Sequence, residues 1–172
     1  MLIETPRLLV RRWTLDDVAA LHAIQGDRRT MAFWPAPFTR ADSRAWIERS
    51  LTRYAERGFG RFALLSKARG AVVGDCGVVA TEMDGEPVND IGWIIARPLW
   101  GQGLAVEAAA AVRDFAFANL GLPALHANMP WNHHGSRLVA ERIGMRHIRS
   151  FENPKNRNIA TLFYELRADG RS

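Results

Sequence analysis

Residues Trp100-Gly101-Gln102-Gly103-Leu104-Ala105 stand between an apolar, strand-like run and a helix-like run. That arrangement suits a pyrophosphate: glycines let the backbone come close, successive amides form a nest of donors, and a helix N-terminus adds the positive end of its dipole. The loop departs from the dinucleotide fingerprint, because Val106 stands where a third glycine would, and no Gly-Lys-Ser/Thr ending makes it a P-loop. Two adjacent histidines, His133 and His134, lie in a second loop without Cys or acidic partners at ligand spacing, and read as solvent-facing or capping residues. No metal is expected. The single cysteine, Cys76, sits in the apolar run Val72 to Val79 and reads as a small buried hydrophobe, with no partner for a disulfide.

The elements that must position these residues follow from periodicity and punctuation. Arg7 to Trp13 has strand character, and Thr14 with Asp16 and Asp17 marks the start of a helix running to about Gln25. Phe33-Trp34-Pro35-Ala36-Pro37-Phe38 is an aromatic, proline-broken loop. Thr39 or Asp42 then caps a helix that carries Trp46, Ile47, Leu51 and Tyr54 at core spacing and ends near Gly58. Phe62–Leu65 and Ala71–Val73 read as a hairpin, the strand pattern resumes at Gly77–Ala80, and Glu82 to Asn89 reads as a polar turn. Asp90 to Ala96 is apolar on both faces, as a covered central strand should be. Leu104 to Asn119 is helical with Gly121 as its stop, Ala124 to Met129 is a strand, and His134 or Ser136 opens a helix ending at Ile143-Gly144. Strands at Met145–Phe151 and Thr161–Leu166 complete a mixed α/β sandwich.

The 172 residues, 48% of them hydrophobic, suit one domain over 1–172. There is no internal repeat or long linker. The N-terminus lacks the pattern of a secretory signal, and no apolar run approaches the ~18 residues of a membrane span, so a cytosolic location with no membrane partner is expected. Lys and Arg outnumber Asp and Glu by 23 − 18 = 5, and nearly all of that positive charge is arginine, which grips anions through a planar fork. The arginines are scattered and not gathered into a stripe with interleaved aromatics, so a phosphate-bearing ligand accounts for them and nucleic acid is not expected.

Three ordered blocks carry a family resemblance: Glu4-Thr5-Pro6-Arg7-Leu8; Ile91-Gly92-Trp93 ahead of Trp100-Gly101-Gln102-Gly103-Leu104-Ala105-Val106-Glu107-Ala108; and Ser136 followed by Val139-Ala140-Glu141-Arg142-Ile143-Gly144-Met145. With these the chain resembles the GNAT acyl-CoA-dependent N-acyltransferases, in the branch of ribosomal-protein N-terminal alanine acetyltransferases. The resemblance implies a three-layer α/β/α sandwich around a mixed, mostly antiparallel sheet whose central strands splay apart. It implies acetyl-CoA as co-substrate, with Ile94 and Ile95 meeting the pantetheine arm and Trp100, Gly101, Gln102, Gly103, Leu104 and Ala105 around the pyrophosphate. Two departures are visible: Trp100 replaces the usual Gln or Arg, and Asn132 stands four residues before Ser136 where the branch has three, so that His133 falls in that place. Asn132 and Arg137 are carried as further cofactor contacts.

Transfer to an amine by direct attack on the thioester needs a base and an acid. By the resemblance Asp90 matches an acidic position that supplies the base, against a reading as a solvated turn residue. Ser136 would hydrogen-bond the leaving thiolate, against a reading as a helix N-cap. Phe33, Trp34 and Phe38, with Trp131, would line the acceptor cleft, or simply pack. Arg142, like Arg137, would contact cofactor phosphates, or is simply an exposed position on the last helix, the reading preferred for it. The acceptor is a primary amine, either a protein N-terminus or a small molecule; the chain is expected as a monomer or homodimer. A non-catalytic CoA-sensing or ribosome-associated, RNA-associated binding module is the alternative.

Overall fold

The structure is a computed structural model and describes residues 2–168. Eight strands form one sheet: β1 (Leu2–Glu4), β2 (Leu8–Arg11), β3 (Arg61–Ser66), β4 (Ala71–Met83), β5 (Glu86–Ile95), β6 (Ala124–Pro130), β7 (Arg146–Asn153) and β8 (Ile159–Arg167). Their order is β1-β2-β3-β4-β5-β6-β8-β7, and among the described residues the one parallel pair is β5 with β6. Four helices pack on it: α1 (Val18–Gln25), α2 (Arg40–Arg57), α3 (Leu104–Ala118) and α4 (His134–Arg142).

Strand alternation assigns the faces. On β3, Phe62 and Leu64 join the core formed with α3 and α4 through Ala108, Ala109, Val112, Val139 and Ile143. Ala63 points the other way, to Trp13, Val18, Leu21 and Ile47 of the α1–α2 side. The alanines of α3 that meet the sheet are fully buried, so small side chains bring this helix close to the strands. A third cluster of Ile24, Met31 and Ile94, flanked by Trp34 and Phe38, fastens the aromatic loop to the end of β5.

Local chemistry explains the boundaries. Thr39 and Asp42 form a capping box at the start of α2, and Gly58 closes that helix in the left-handed region. Of the four residues assigned to its core face, Ile47 and Tyr54 are buried, while Trp46 and Leu51 are half-buried against the core. Two expectations are corrected. The β4 strand is continuous through Gly74 and Gly77, because both glycines lie where an added Cβ would strike neighbouring backbone, at Ile94 O (2.4 Å) and Gly60 O (2.1 Å) respectively. The polar turn of Glu82 to Asn89 shrinks to Asp84-Gly85, both at positive φ (50° and 81°), which is the two-residue Asp-Gly hairpin whose twist matches its strands. Asp90 is therefore inside a strand.

The β5–β6 pair meets at Asp90 opposite His126. Beyond that point Ile91–Trp93 and Ala127–Pro130 form facing walls of an open cleft. This is the splay the resemblance implied.

Below the cleft lies a buried polar network. Asp75 of β4, 0% exposed, accepts from Arg61 Nε (2.6 Å), Trp13 Nε1 (3.2 Å) and Trp46 Nε1 (3.1 Å). The Tyr54 hydroxyl donates to the Arg61 carbonyl, and Trp13 N donates to the same hydroxyl at 3.3 Å. One carboxylate thus ties β3, β4, α2 and the segment after β2. Removing one partner of such a pair strands the other charge in a dry site, so Asp75→Asn is expected to lose about 3–5 kcal/mol of stability. Urea unfolding of the variant beside wild type measures it.

Candidate active site

One groove runs along the splayed edge of β5 to the start of α3. It encloses about 260 Å³ and is walled by Ile94, Ile95, Leu99, Trp100, Gly101, Gly103, Leu104, Ala105 and Val106, with Val139 and Arg142 from α4 opposite. Gly101 and Gly103 both have φ of 77°, the left-handed region. Gly103 is the N-cap of α3, and the first intrahelical bond is Glu107 N to Gly103 O (3.1 Å). The amides of Leu104, Ala105 and Val106 therefore have no helical acceptor and are available to an anion. At its base, Arg97 N donates to Thr30 Oγ1 (3.0 Å), which fixes the entry to the loop.

The loop is braced from the N-terminus. The Glu107 carboxylate accepts from Thr5 Oγ1 (2.6 Å), Arg7 N (2.8 Å) and Arg7 Nε (2.5 Å), while Arg7 Nη1 donates to Gln102 O (2.7 Å). Two of the sequence blocks, distant along the chain, are thus the two halves of one clamp. Its hydrogen bonds hold the Glu107 carboxyl below the usual carboxylate range in spite of the burial that acts to raise it.

A second, larger cleft of about 600 Å³ lies on the α2 side. Its walls include Phe33, Trp34, Arg49, Arg53, Arg61, Asp90, Asn128, Phe151 and Asn156. The two cavities share Trp34, Trp93, His133 and Ser136. At this junction Ser136 Oγ accepts from Trp93 Nε1 (3.2 Å), which leaves the hydroxyl proton free to donate elsewhere. Ser136 is not the helix cap. That role belongs to His133, whose Nδ1 accepts from Ser136 N at 3.3 Å; accepting at Nδ1 places the ring proton on Nε2. His133 stacks on Phe33 (3.8 Å between centroids), and burial pulls its pKa down to about 4, so the ring is neutral at physiological pH.

Asp90 stands at the vertex where β5 and β6 part, half-buried on the wall of the larger cleft, with Oδ1 accepting from Asn128 Nδ2 (3.1 Å). Burial pushes its carboxyl up to about 6, against the pull of the Arg61 charge and the Asn128 hydrogen bond. A carboxylate so tuned can collect a proton near neutral pH. Strand alternation puts Gly92 on the same face as Asp90, and an added Cβ there would fall 2.1 Å from Arg61 Nη1. Glycine is required for the guanidinium to lie across β5.

Several expected residues come together and several do not. Ile95 lines the groove, yet its carbonyl already accepts from Trp100 Nε1 (2.6 Å). Trp100 is thereby a strut of the loop, with Arg97 over its ring at 4.7 Å. Gln102 is exposed and serves through its carbonyl. Arg137 pairs with Glu141 (3.4 Å) away from the groove, and Arg142, exposed as expected, is the α4 arginine that lines it. Asn132 is exposed and lines neither cavity, and its expected place three before Ser136 is taken by His133. Trp131 is 57% exposed and outside both cavities, while Phe38 supports Trp34 edge-on (5.5 Å) and does not reach the cleft. Sequence reading missed Arg61, Asp75 and Asn128, whose meeting depends on register between strands. Trp93 stands in the Ile91-Gly92-Trp93 block, where the sequence alone assigns it no role. Cys76 is buried as expected, with its thiol pushed up to about 12 by burial. Among the described residues no group of His, Cys, Asp and Glu could hold a metal ion, and no helix is long and apolar enough to cross a membrane.

Comparison with known proteins places this geometry. The model of the acetyltransferase (GNAT) domain matches residues 7–146. YnaD of Bacillus subtilis (strain 168), an uncharacterized N-acetyltransferase, is 28% identical over 147 residues, covering 85% of this chain and 83% of its own. A crystal structure of a GNAT-family acetyltransferase from Bacillus anthracis superposes with a TM-score of 0.82 at 25% identity, over 98% of this chain and 99% of the other. A ribosomal-protein alpha-N acetyltransferase, RimL, solved in complex with coenzyme A, shares the fold with a TM-score of 0.78 at 15% identity, over 99% and 100% of the two chains.

An added Cβ at Gly103 would come no closer than 3.5 Å to Arg7, so substitution there acts through the φ of 77° and not through crowding. A β-branched residue cannot hold that conformation without strain. Gly103→Val is expected to weaken acetyl-CoA binding at least tenfold while far-UV circular dichroism stays native; calorimetric titration reads the affinity, and unchanged binding in a folded variant overturns the assignment of this loop.

Proposed function

The chain belongs to the acetyltransferase (GNAT) family, and from that premise we propose that it moves the acetyl group of acetyl-CoA onto a primary amine by direct attack on the thioester, with Asp90 as base and Ser136 as acid. The observation that carries this reading is the junction of two cavities at Trp93, His133 and Ser136. One cavity has a loop suited to pyrophosphate; the other has a carboxylate of raised pKa. The thioester would enter along β5 with its phosphates on the amides of Gln102 to Ala105, and the amine would arrive from the larger cleft.

In the step itself the amine nitrogen bonds to the thioester carbonyl carbon, the carbon–sulfur bond breaks, and the electron pair leaves on sulfur. The proton lost by the amine passes to the Asp90 carboxylate. The thiolate takes a proton from Ser136 Oγ, whose lone pair is engaged by Trp93, and the proton held on Asp90 returns through solvent to the Ser136 oxygen, so that both residues are restored. An α-amine near pKa ~8 is already partly unprotonated at neutral pH, whereas an alkyl amine near ~10.4 leans harder on the base. His133, neutral and capping α4, orients Ser136 and transfers no proton in this scheme. We place the reaction in the cytosol, with which a lone, buried and reduced Cys76 agrees.

Calorimetric titration with acetyl-CoA, beside dephospho-CoA and NAD, tests the first half. Micromolar binding of acetyl-CoA and none of NAD is expected, and absence of acetyl-CoA binding removes the proposal. The second half is read by pH. The active form of Asp90 is the carboxylate, so kcat/KM should climb as pH rises through about 6. Asp90→Asn should lose that limb and about 100-fold in rate. Stability moves oppositely. The fold holds the Asp90 proton more tightly than the unfolded chain does, so the contribution is complete below the ordinary value of 3.8 and is lost as pH rises through about 6. Asp90→Asn, which cannot ionise, should therefore unfold at higher urea than wild type at pH 7.

A further inference from the structure

The larger cleft has a charge pattern that the acetyl-transfer reading does not use. Arg49 and Arg53 stand one turn apart on α2 and both line it, with Arg61 reaching in from β3. Arg49 and Arg61 each lie over the ring of Trp46, at 5.9 Å and 5.4 Å. Arg61 is answered by Asp75, but among the described residues neither Arg49 nor Arg53 makes a salt bridge. Burial, and then repulsion from Arg49, Arg61 and Arg57, lowers the pKa of Arg53, with only solvated Glu56 opposing. Arg49 and Arg53, neighbouring guanidinium groups without a carboxylate partner on the wall of a cavity, are a costly arrangement unless an anion joins them.

The acidic groups of the same cleft do not cancel them. Asp84 is bonded to Arg149 at the hairpin tip, Glu82 is exposed there, and Asp90 at the β5–β6 vertex is bonded to Asn128 and drawn by the Arg61 charge, which leaves the α2 arginines unanswered. The cavity is therefore polarised, with a base at the vertex and unpaired arginines on α2. Its volume of about 600 Å³ is that of a small-molecule site, and Asn156 Nδ2 donating to Phe33 O (3.0 Å) ties two of its walls together. We propose that the acceptor is a small-molecule amine that also carries an anionic group, a carboxylate or a phosphate, seated on Arg49, Arg53 and Arg61. This rests on the acetyl-transfer reading for the chemistry of the site, and specifies which amines enter it.

Matched pairs test it: β-alanine against β-alaninamide for a carboxylate, and O-phosphoethanolamine against ethanolamine for a phosphate, each scored by thiol release from acetyl-CoA. At least one anionic member should exceed its neutral partner tenfold or more in kcat/KM, and the preference should shrink as salt is raised. The pair with the larger ratio names the anion. In the double variant Arg49→Gln/Arg53→Gln that ratio should fall towards one, with the circular dichroism native. Neutral or cationic amines turned over as well as anionic ones, or a ratio untouched by the variant, overturns the proposal and leaves the transferase reading standing. Calorimetric binding of O-phosphoethanolamine separates the converse case. Binding that wild type shows and the double variant loses, without acetylation of any amine, upholds the anion seat and sinks the transferase reading.

Discussion

A single carboxylate organises this molecule. Asp75, without access to water, accepts from Arg61, Trp13 and Trp46, and those donors come from β3, from the segment after β2, and from α2. A buried charge with full hydrogen bonding tolerates little displacement, because any lost donor leaves an uncompensated ion in a low-dielectric site. Arg61 is consequently pinned with its last amino group over Gly92, and the α2 helix is pinned through Trp46. The larger cleft inherits its shape from this: Arg61 is part of its wall, and Asp90, two residues before Gly92, titrates in the field of that guanidinium. What looks like a structural ion pair is therefore also the electrostatic setting of the proposed base.

The parts of the fold that sequence made legible are those governed by neighbours along the chain. The Thr39–Asp42 capping box, the stop at Gly58, the alanine face of α3 and the glycine loop all depend on residues within a few positions of one another. The Asp84-Gly85 turn was equally local, but a polar stretch from Glu82 to Asn89 hid it, since Pro87 and Asn89 look like loop residues and in fact occupy strand positions fixed by pairing with β4. Register across strands is where reading along the chain stops. Nothing within β3 says that Arg61 will meet Asp75, and nothing near Arg142 says that its side chain, and not that of Arg137, lines the groove. The family resemblance supplied the fold and the loop because it carried long-range information that periodicity lacks.

The divergence of β5 and β6 converts a sheet into a passage. Backbone pairing is given up beyond Asp90 and His126, and the space is lined instead by Trp93, Asn128 and the His133 cap of α4. Each of these is itself held: Trp93 by Ser136, Asn128 by Asp90, His133 by Phe33. These side-chain contacts brace the two walls across the opening without closing it.

The clamp of Thr5 and Arg7 on Glu107 joins the edge of the sheet to the loop at the head of α3 across about a hundred positions of sequence. The shape of that loop and the order of the first strands are therefore coupled through one set of hydrogen bonds. An anion that stiffens the loop tightens the clamp, and fraying of the first strands loosens the seat. The amides of β1 and β2, which touch no ligand, become its reporters, and slower hydrogen exchange there is the distant signature of a filled site.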